Sequence, residues 1–459
     1  MIKRTLQEIQ QMTEGNGLIE AYSRMVISGV STDTRTISNG NLYIPLKGER
    51  FNGHAFVKEA FAKGAVAALW AQDEPNPPED VPLIFVDDTL VALQRLASRY
   101  RDQLAVKVIG ITGSNGKTTT KDMAAAILAT QYKVQKTEGN LNNHIGLPLT
   151  LLCLDENTEV AVVEMGMSNF GEIEFLSKLA KPDAAVITNI GESHLQELGS
   201  RDGIAQAKLE IVSGLKENGI FVYNGDEPLL TNRVPAMKLT QTMLTFGSGD
   251  YNNYFPLSVS MKANGTTFVV NEAPGVSLFI PILGRHHVYN ALAAIAIARF
   301  FGVSWENIQA GFASLQVTKM RMEVVKGKGG LTIINDAYNA SPTSMKAALQ
   351  LLSELTGYRK KIAVLGDMLE LGEKEVEFHE EIGQWLHPDK ADYVFTYGKL
   401  GERIAKAAEP AFPKGHVKAY DNKEALAADL AQLVAPMDVV LLKASRGMKL
   451  EQVLEYLTV

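Results

Sequence analysis

Short apolar runs, each closing on Gly, Asn or another polar residue, recur through the middle of the chain. They are "VKVIGIT" from Val106, "VAVVEMG" from Val160, "AAVITNI" from Ala184 and "GIFVYN" from Gly219. Helical patterns lie between the first three and again before the fourth. Runs without polar alternation suit parallel strands covered on both faces. A longer helical pattern, "HVYNALAAIAIARFF" from His287, closes this part. The strand–helix alternation then resumes with "LTIINDAY", "KIAVLGD", "YVFTYG" and "DVVLLKAS". Ahead of Val106 the chain reads as shorter strands such as "NLYIPL" and "LIFVDD". Between them "AQDEPNPPEDVP", Ala71 to Pro82, reads as a surface loop, because its prolines remove backbone donors.

The pattern predicts an α/β protein of three domains. Residues 1–105 form an N-terminal α/β domain. Residues 106–316 form a central domain on a mostly parallel sheet, of the phosphate-loop type. Residues 317–459 form a smaller Rossmann-like α/β domain. The last has no GxGxxG after its first strand, and "GKGG" at Gly327 to Gly330 reads as a turn. The length of 459 residues suits three domains, and 46% hydrophobic residues let each bury a core. A net charge of -7 argues against a nucleic-acid partner, which calls for a basic face. Cys153 is the only cysteine, so no internal disulfide forms and a cysteine zinc site is excluded. The N-terminus lacks the apolar core of a signal peptide, and no run is long enough for a membrane helix. These readings lead us to expect a cytoplasmic monomer with no stable membrane insertion.

The strongest chemical signal is "GITGSNGKTTTK", Gly110 to Lys121. It follows an apolar strand and runs into a helical pattern, as a phosphate loop does. Gly113 and Gly116 let backbone N–H groups close around a phosphate, with Ser114, Asn115 and Thr119 in the same loop. Lys117 reaches β- and γ-phosphates, Thr118 holds Mg²⁺, and the helix N-terminus adds a favourable dipole. Ile111 stands where the common GxxxxGK[ST] pattern has its first glycine. Two neighbouring strand ends carry Glu164 and, a few residues on, His194. Ligands of open parallel sheets gather beyond such ends. Either residue also reads as a cap, surface charge or structural histidine, and Lys208 in "AQAKLEI" reads by itself as a solvated helix lysine. In "LLKASRGMKLE", Lys443, Ser445 and Arg446 leave a strand end. They suit carboxylate recognition or simple loop and cap roles.

The order of motifs "TGSNGKTTT", "EGNLNNHIGLPLTLL", "EMGMSNFGEI", "TNIGESHLQELGS", "GRHHVYNALAA", "INDAYNASPTS" and "GDMLELG" resembles the Mur ligases. These enzymes build the peptide of bacterial cell-wall precursors, and their loop does not require glycine at the place of Ile111. The resemblance implies ATP and two Mg²⁺ ions, with Thr118, Glu164 and His194 as metal ligands and Lys208 carried as a carbamate. A carbamate turns a cation into an anion beside the metals. It implies Asn290 near the adenine, Arg321 at the γ-phosphate, and Asp336 with Asn339 near the ribose. "STDTRTISNGNLYIPLKGERFNGHAF" is similar to a UDP-binding domain, which makes Ser31, Asp33 and Arg35 candidates there. Asn140, Asn143, Ser445 and Arg446 are candidates for the remaining substrate contacts. One departure stands out: "GRHHVYN" has His287 where the family has Asn.

The ending "KASRGMKLE" is similar to the member that joins D-alanyl-D-alanine to UDP-N-acetylmuramoyl-tripeptide. The resemblance thus implies those two partners and an acyl-phosphate route. The alternatives are the ligase adding the third amino acid and, in another class, a nucleotide-driven switch ATPase. "GKGHE" and "DNPR", marks of the former, are absent. An acceptor for the amine proton is also needed. His379, read as a helix-surface histidine, is a weak candidate.

Overall fold

The computed structural model describes residues 1–262 and 264–458. Positions 263 and 459, one in each of the two later expected domains, lie outside the described residues. Three sheets, parallel but for one strand of the third, follow one another along the chain. The first has four strands in the order Val30–Ser31, Leu42–Tyr43, Ala67–Ala71 and Leu83–Val86. The proline-rich stretch turns between the last two. Helix Thr89–Gln103 begins where the Asp88 carboxylate accepts from the Val91 N–H at 2.8 Å. It buries Ala92, Leu93, Leu96, Ala97 and Tyr100 along one face.

The second sheet has six parallel strands. Their order is Val134–Lys136, Val160–Glu164, Lys107–Thr112, Ala184–Ile187, Ile220–Asn224 and Thr242–Phe246. The strand that comes first in the chain, Lys107–Thr112, therefore sits inside the sheet, and the chain winds outward from it both ways. That reversal opens a crevice at the carboxyl ends. The register aligns those ends: Glu164 lies opposite Ile111, and Ile187 opposite Thr112. Helices Lys117–Leu128 and Arg285–Phe300 pack together, with Ala124, Ala291, Ala294 and Ala298 fully buried. Small side chains let the two backbones approach closely. Two edge strands and an antiparallel sheet of Pro256–Lys262, Gly265–Val270 and Ser277–Ile280 add to the expected four strands.

The third sheet runs Glu323–Lys326, Thr332–Asp336, Val439–Lys443, Lys361–Gly366, Tyr393–Tyr397 and Val417–Tyr420. Only its first strand is antiparallel. The turn at Lys328–Gly330 joins the first two strands, which is why no dinucleotide loop forms there. One apolar cluster extends from the second sheet through helix Arg285–Phe300 into the third, and another joins the first sheet to the second. No helix among the described residues is long and apolar enough to cross a membrane.

His379 corrects the reading of a helix-surface histidine. It is fully buried in helix Glu375–Trp385. Its Nδ1–H donates to Glu375 O at 2.6 Å, and Nε2 accepts from the Met368 N–H at 2.9 Å. Both ring nitrogens are used, and burial pushes its pKa down. Neither property suits a proton acceptor.

Candidate active site

The loop after Lys107–Thr112 explains why position 111 needs no glycine. Ile111 is a fully buried strand residue, and the turn begins two residues later. Gly113 has φ 150°, and a Cβ there would stand 1.8 Å from Thr188 Oγ1. Gly116 has φ 82°, and its Cβ would stand 2.4 Å from Asn290 Oδ1. Side chains at these two places would strain the backbone and collide. The segment after the neighbouring strand pins the loop. Gly191 N–H donates to Ser114 Oγ at 2.8 Å, and Asn115 N–H donates to Asn189 Oδ1 at 2.9 Å.

A cavity of ≈ 220 Å³ lies over this loop, between the second and third sheets. Ser114, Asn115, Gly116, Lys117 and Thr119 form its floor, with Glu164 and Asn290 beside them. Arg321, Asp336, Tyr338, Asn339 and Lys443 close it from the other side. The two sides meet directly. Asn115 Nδ2 donates to Ser341 Oγ at 3.3 Å, and Thr343 Oγ1 donates to Glu192 Oε2 at 2.8 Å. A second cavity, ≈ 300 Å³, holds His194, Lys208, Asn143 and Glu172, and Lys117 and Asn142 wall both. Gly113 and Thr118 line neither; Thr118 is buried in the first turn of its helix.

Across the two cavities Lys117, Lys208 and Arg321 have no carboxylate in an ion pair among the described residues. Lys117 Nζ curls back onto Gly113 O at 2.6 Å. Burial pushes its pKa down to about 8, with Glu164 opposing and Arg321 adding to the shift. Lys208 is buried, its Nζ makes no hydrogen bond or ion pair among the described residues, and its pKa is held well below the usual lysine range by burial and then by Lys117. The Arg321 guanidinium lies 4.2 Å over the Tyr338 ring, and its buried Nε has no hydrogen-bond partner. Such a site favours a polyanion. Glu164 is the exception in sign. Its Oε1 is buried and accepts no hydrogen bond, although Lys121 Nζ stands 3.4 Å away. That contact is an ion pair outside hydrogen-bond geometry. A carboxylate oxygen left unsatisfied beside a phosphate loop fits a divalent cation. No group of three or more His, Cys, Asp or Glu side chains is assembled as a metal cluster among the described residues.

Other candidates are already engaged. Asp336 pairs with Lys443 and accepts from the Met322 N–H at 3.2 Å; Lys443 also donates to Asn339 O at 3.1 Å. His194 has φ 64°, and its Nδ1 faces Glu370 Oε2 at 3.1 Å, a contact between the second and third sheets. Asn290 Nδ2 lies 3.2 Å from His287 Nδ1, whereas the buried His287 Nε2 has no partner. His286, beside it, is pushed down to about 4 by burial. Ser445 Oγ accepts from the Leu369 N–H at 3.0 Å, and Arg446 is exposed and paired with Glu451. Neither lines the two cavities.

In the first sheet, Ser31 Oγ donates to Asp33 O at 2.9 Å, and Arg35 forks onto Asp33. Hydrogen bonds from Arg35 hold Asp33 down to about 2. Asn143 Oδ1 accepts from the Gly146 N–H at 2.9 Å, where helix Gly146–Leu152 begins, and Asn140 is exposed. Asn142, Lys121 and Tyr338 escaped the sequence reading. Their neighbours in the motifs drew attention instead, and only the packing shows which side chain turns inward.

A phosphate loop at a sheet's switch point, capped by a second α/β layer that brings a free arginine, defines a nucleotide-dependent enzyme with its reacting groups enclosed. Family models narrow this further. "Mur ligase family, catalytic domain" matches residues 26–101, "Mur ligase middle domain" 111–298 and "Mur ligase, glutamate ligase domain" 320–446. The chain belongs to the Mur ligase family, whose members named below are ATP-dependent ligases. The UDP-N-acetylmuramoyl-tripeptide--D-alanyl-D-alanine ligase of Bacillus subtilis (strain 168) is 56% identical over 455 residues, covering 99% of this chain and 98% of that protein. The structure of MurF from Acinetobacter baumannii matches with a TM-score of 0.88 at 33% identity, covering 99% of this chain and 98% of that one. MurF ligase from Thermotoga maritima, in complex with ADP, matches at 0.81 and 33%, covering 93% and 96%.

Proposed function

We propose that this chain joins D-alanyl-D-alanine to UDP-N-acetylmuramoyl-tripeptide at the expense of ATP, through an acyl phosphate. The observation that carries the reading is the enclosed cavity in which Lys117, Glu164 and Arg321 converge from two sheets. The 56% identity to a ligase of that name over almost the whole chain supports the choice of substrates.

Joining a carboxylate to an amine in water is uphill, so the carboxylate first takes the γ-phosphoryl group of ATP. That step brings two anions together. Lys117 and Arg321 offset the repulsion, and the loop N–H groups orient the chain of phosphates. Glu164 and Thr118 would hold Mg²⁺ with the nucleotide, and His194 with carbamylated Lys208 would hold a second ion. Bound there, the ions would supply Lewis-acid stabilisation of phosphoryl oxygens. Lys208 suits carbamylation because burial disfavours its charged form, and it is the neutral amine that adds CO₂. Asn290 and the Asp336–Asn339 segment would meet the adenosine. Ser31, Asp33 and Arg35 would meet the UDP group, in the first of three domains divided near residues 105 and 316. Enclosure between two layers keeps water from the acyl phosphate. The D-alanyl-D-alanine amine then attacks and phosphate leaves. Every proposed group comes from one chain, consistent with a monomer working in the cytoplasm, where such precursors are built.

The test is phosphate release from ATP with UDP-N-acetylmuramoyl-tripeptide, with and without D-alanyl-D-alanine. Release that depends on the dipeptide is expected. Release indifferent to it would reject the reading in favour of a plain ATPase.

A further inference from the structure

A second buried cation lies one helical turn beyond Lys117. Lys121 is 2% exposed, and its Nζ donates to Thr137 O at 2.8 Å. The same Nζ stands 3.4 Å from Glu164 Oε1 and 3.5 Å from Asp122 Oδ1. Thr137 fixes the other partner too, since its Oγ1 accepts from the Glu164 N–H at 3.0 Å. Among the described residues, Lys121 is the only cation within ion-pair distance of Glu164. Asp122 is in turn held by Lys136 at 2.6 Å and by Thr318 Oγ1 at 2.5 Å. Thr318 lies in the segment that leads from the second sheet to the third.

This arrangement gives one lysine two carboxylates at nearly equal distance, one firmly anchored and one unsatisfied. We propose that Lys121 is a placeholder cation that pairs with Glu164 Oε1 until a divalent cation arrives with the nucleotide. It then stays on Thr137 and Asp122 while the metal takes the Glu164 oxygen. The proposal rests on the reading that Glu164 is a metal ligand. Two cations sharing one carboxylate oxygen repel each other, so Lys121 opposes the metal and lowers its affinity. A lysine that merely filled the core would act differently. Its loss would loosen Glu164 and weaken the metal, or leave the metal untouched.

The experiment measures Mn²⁺ binding to the full chain in the presence of ADP, by loss of the free-ion paramagnetic resonance signal. Lys121→Met removes the charge. Lys121→Gln removes it while keeping a donor for Thr137 O, and serves if the first variant does not fold. Both are expected to bind Mn²⁺ roughly tenfold more tightly than the unmodified chain, because a buried like charge has gone. Glu164→Gln is expected to bind it at least roughly tenfold more weakly. If Glu164→Gln binds Mn²⁺ normally, the ligand reading fails and the proposal falls with it. If Glu164→Gln weakens binding but the lysine variants bind equally or less tightly than the unmodified chain, the lysine is structural and the proposal alone is overturned.

Discussion

Replacing Arg321 by alanine removes the one guanidinium that the third sheet presents to the phosphate loop. Arg321 has no carboxylate partner among the described residues, and its only aromatic contact is the stack on Tyr338 at 4.2 Å. Losing that stack should cost about 1–2 kcal/mol of stability for a partly desolvated pair. The larger loss falls on the reaction. A preorganised donor aimed at developing charge contributes about 3–4 kcal/mol, so kcat should fall about 10²–10³-fold. Lys117 remains in the variant and sets a floor under the loss. Arg321→Lys keeps the charge but loses the planar fork and the stack, and should recover about tenfold of that loss. The assay is dipeptide-dependent phosphate release at saturating substrates, with calorimetric binding of the UDP substrate alongside. Binding of that substrate should not change, since no residue of the first sheet lines the cavity that holds Arg321. A folded Arg321→Ala chain with unaltered kcat would falsify the assignment.

Three further outcomes follow from the same geometry. Burial lowers the Lys117 pKa from 10.5 to about 8, so the cationic form is disfavoured in the fold. Global stability should therefore be lowest below pH 8 and rise between about pH 8 and 10.5, where the unfolded chain binds the extra proton. ADP affinity should move the opposite way, falling as pH rises through about 8; calorimetry in two buffers should show proton uptake, and a flat profile from pH 7 to 9.5 would contradict it. Gly116→Ala drives a Cβ to 2.4 Å from Asn290 Oδ1 at a positive φ, so equilibrium dialysis should show nucleotide binding lost well before the fold is. His379→Ala strips the Met368 N–H of its acceptor and should lower stability by about 1–3 kcal/mol in denaturant unfolding. Its kcat should persist; a large drop in kcat at unchanged stability would restore His379 to the chemistry.

The apolar runs around residues 106–112, 160–164 and 184–187 could be read as strands from sequence because both faces of a central parallel strand are buried. The edge strand Val134–Lys136 is half-buried and short, and the Pro256–Lys262 strand is half-buried or exposed at every position, so neither shows as a run. Local spacing likewise marks the turn at Gly113 and Gly116, because a positive φ is a demand on one residue. Which side chains meet across the cavity depends instead on sheet order and register. Lys107–Thr112 lies between strands that follow it by roughly fifty and eighty residues, and that order puts Glu164 and the 188–191 segment beside the loop. The docking of the third sheet decides that Arg321 and Tyr338 face that loop and that Ser445 turns away. Lys208 reads as a solvated helix lysine in one dimension and Lys121 draws no reading at all; the burial of both, and the chemistry it permits, comes only from elements folded over them.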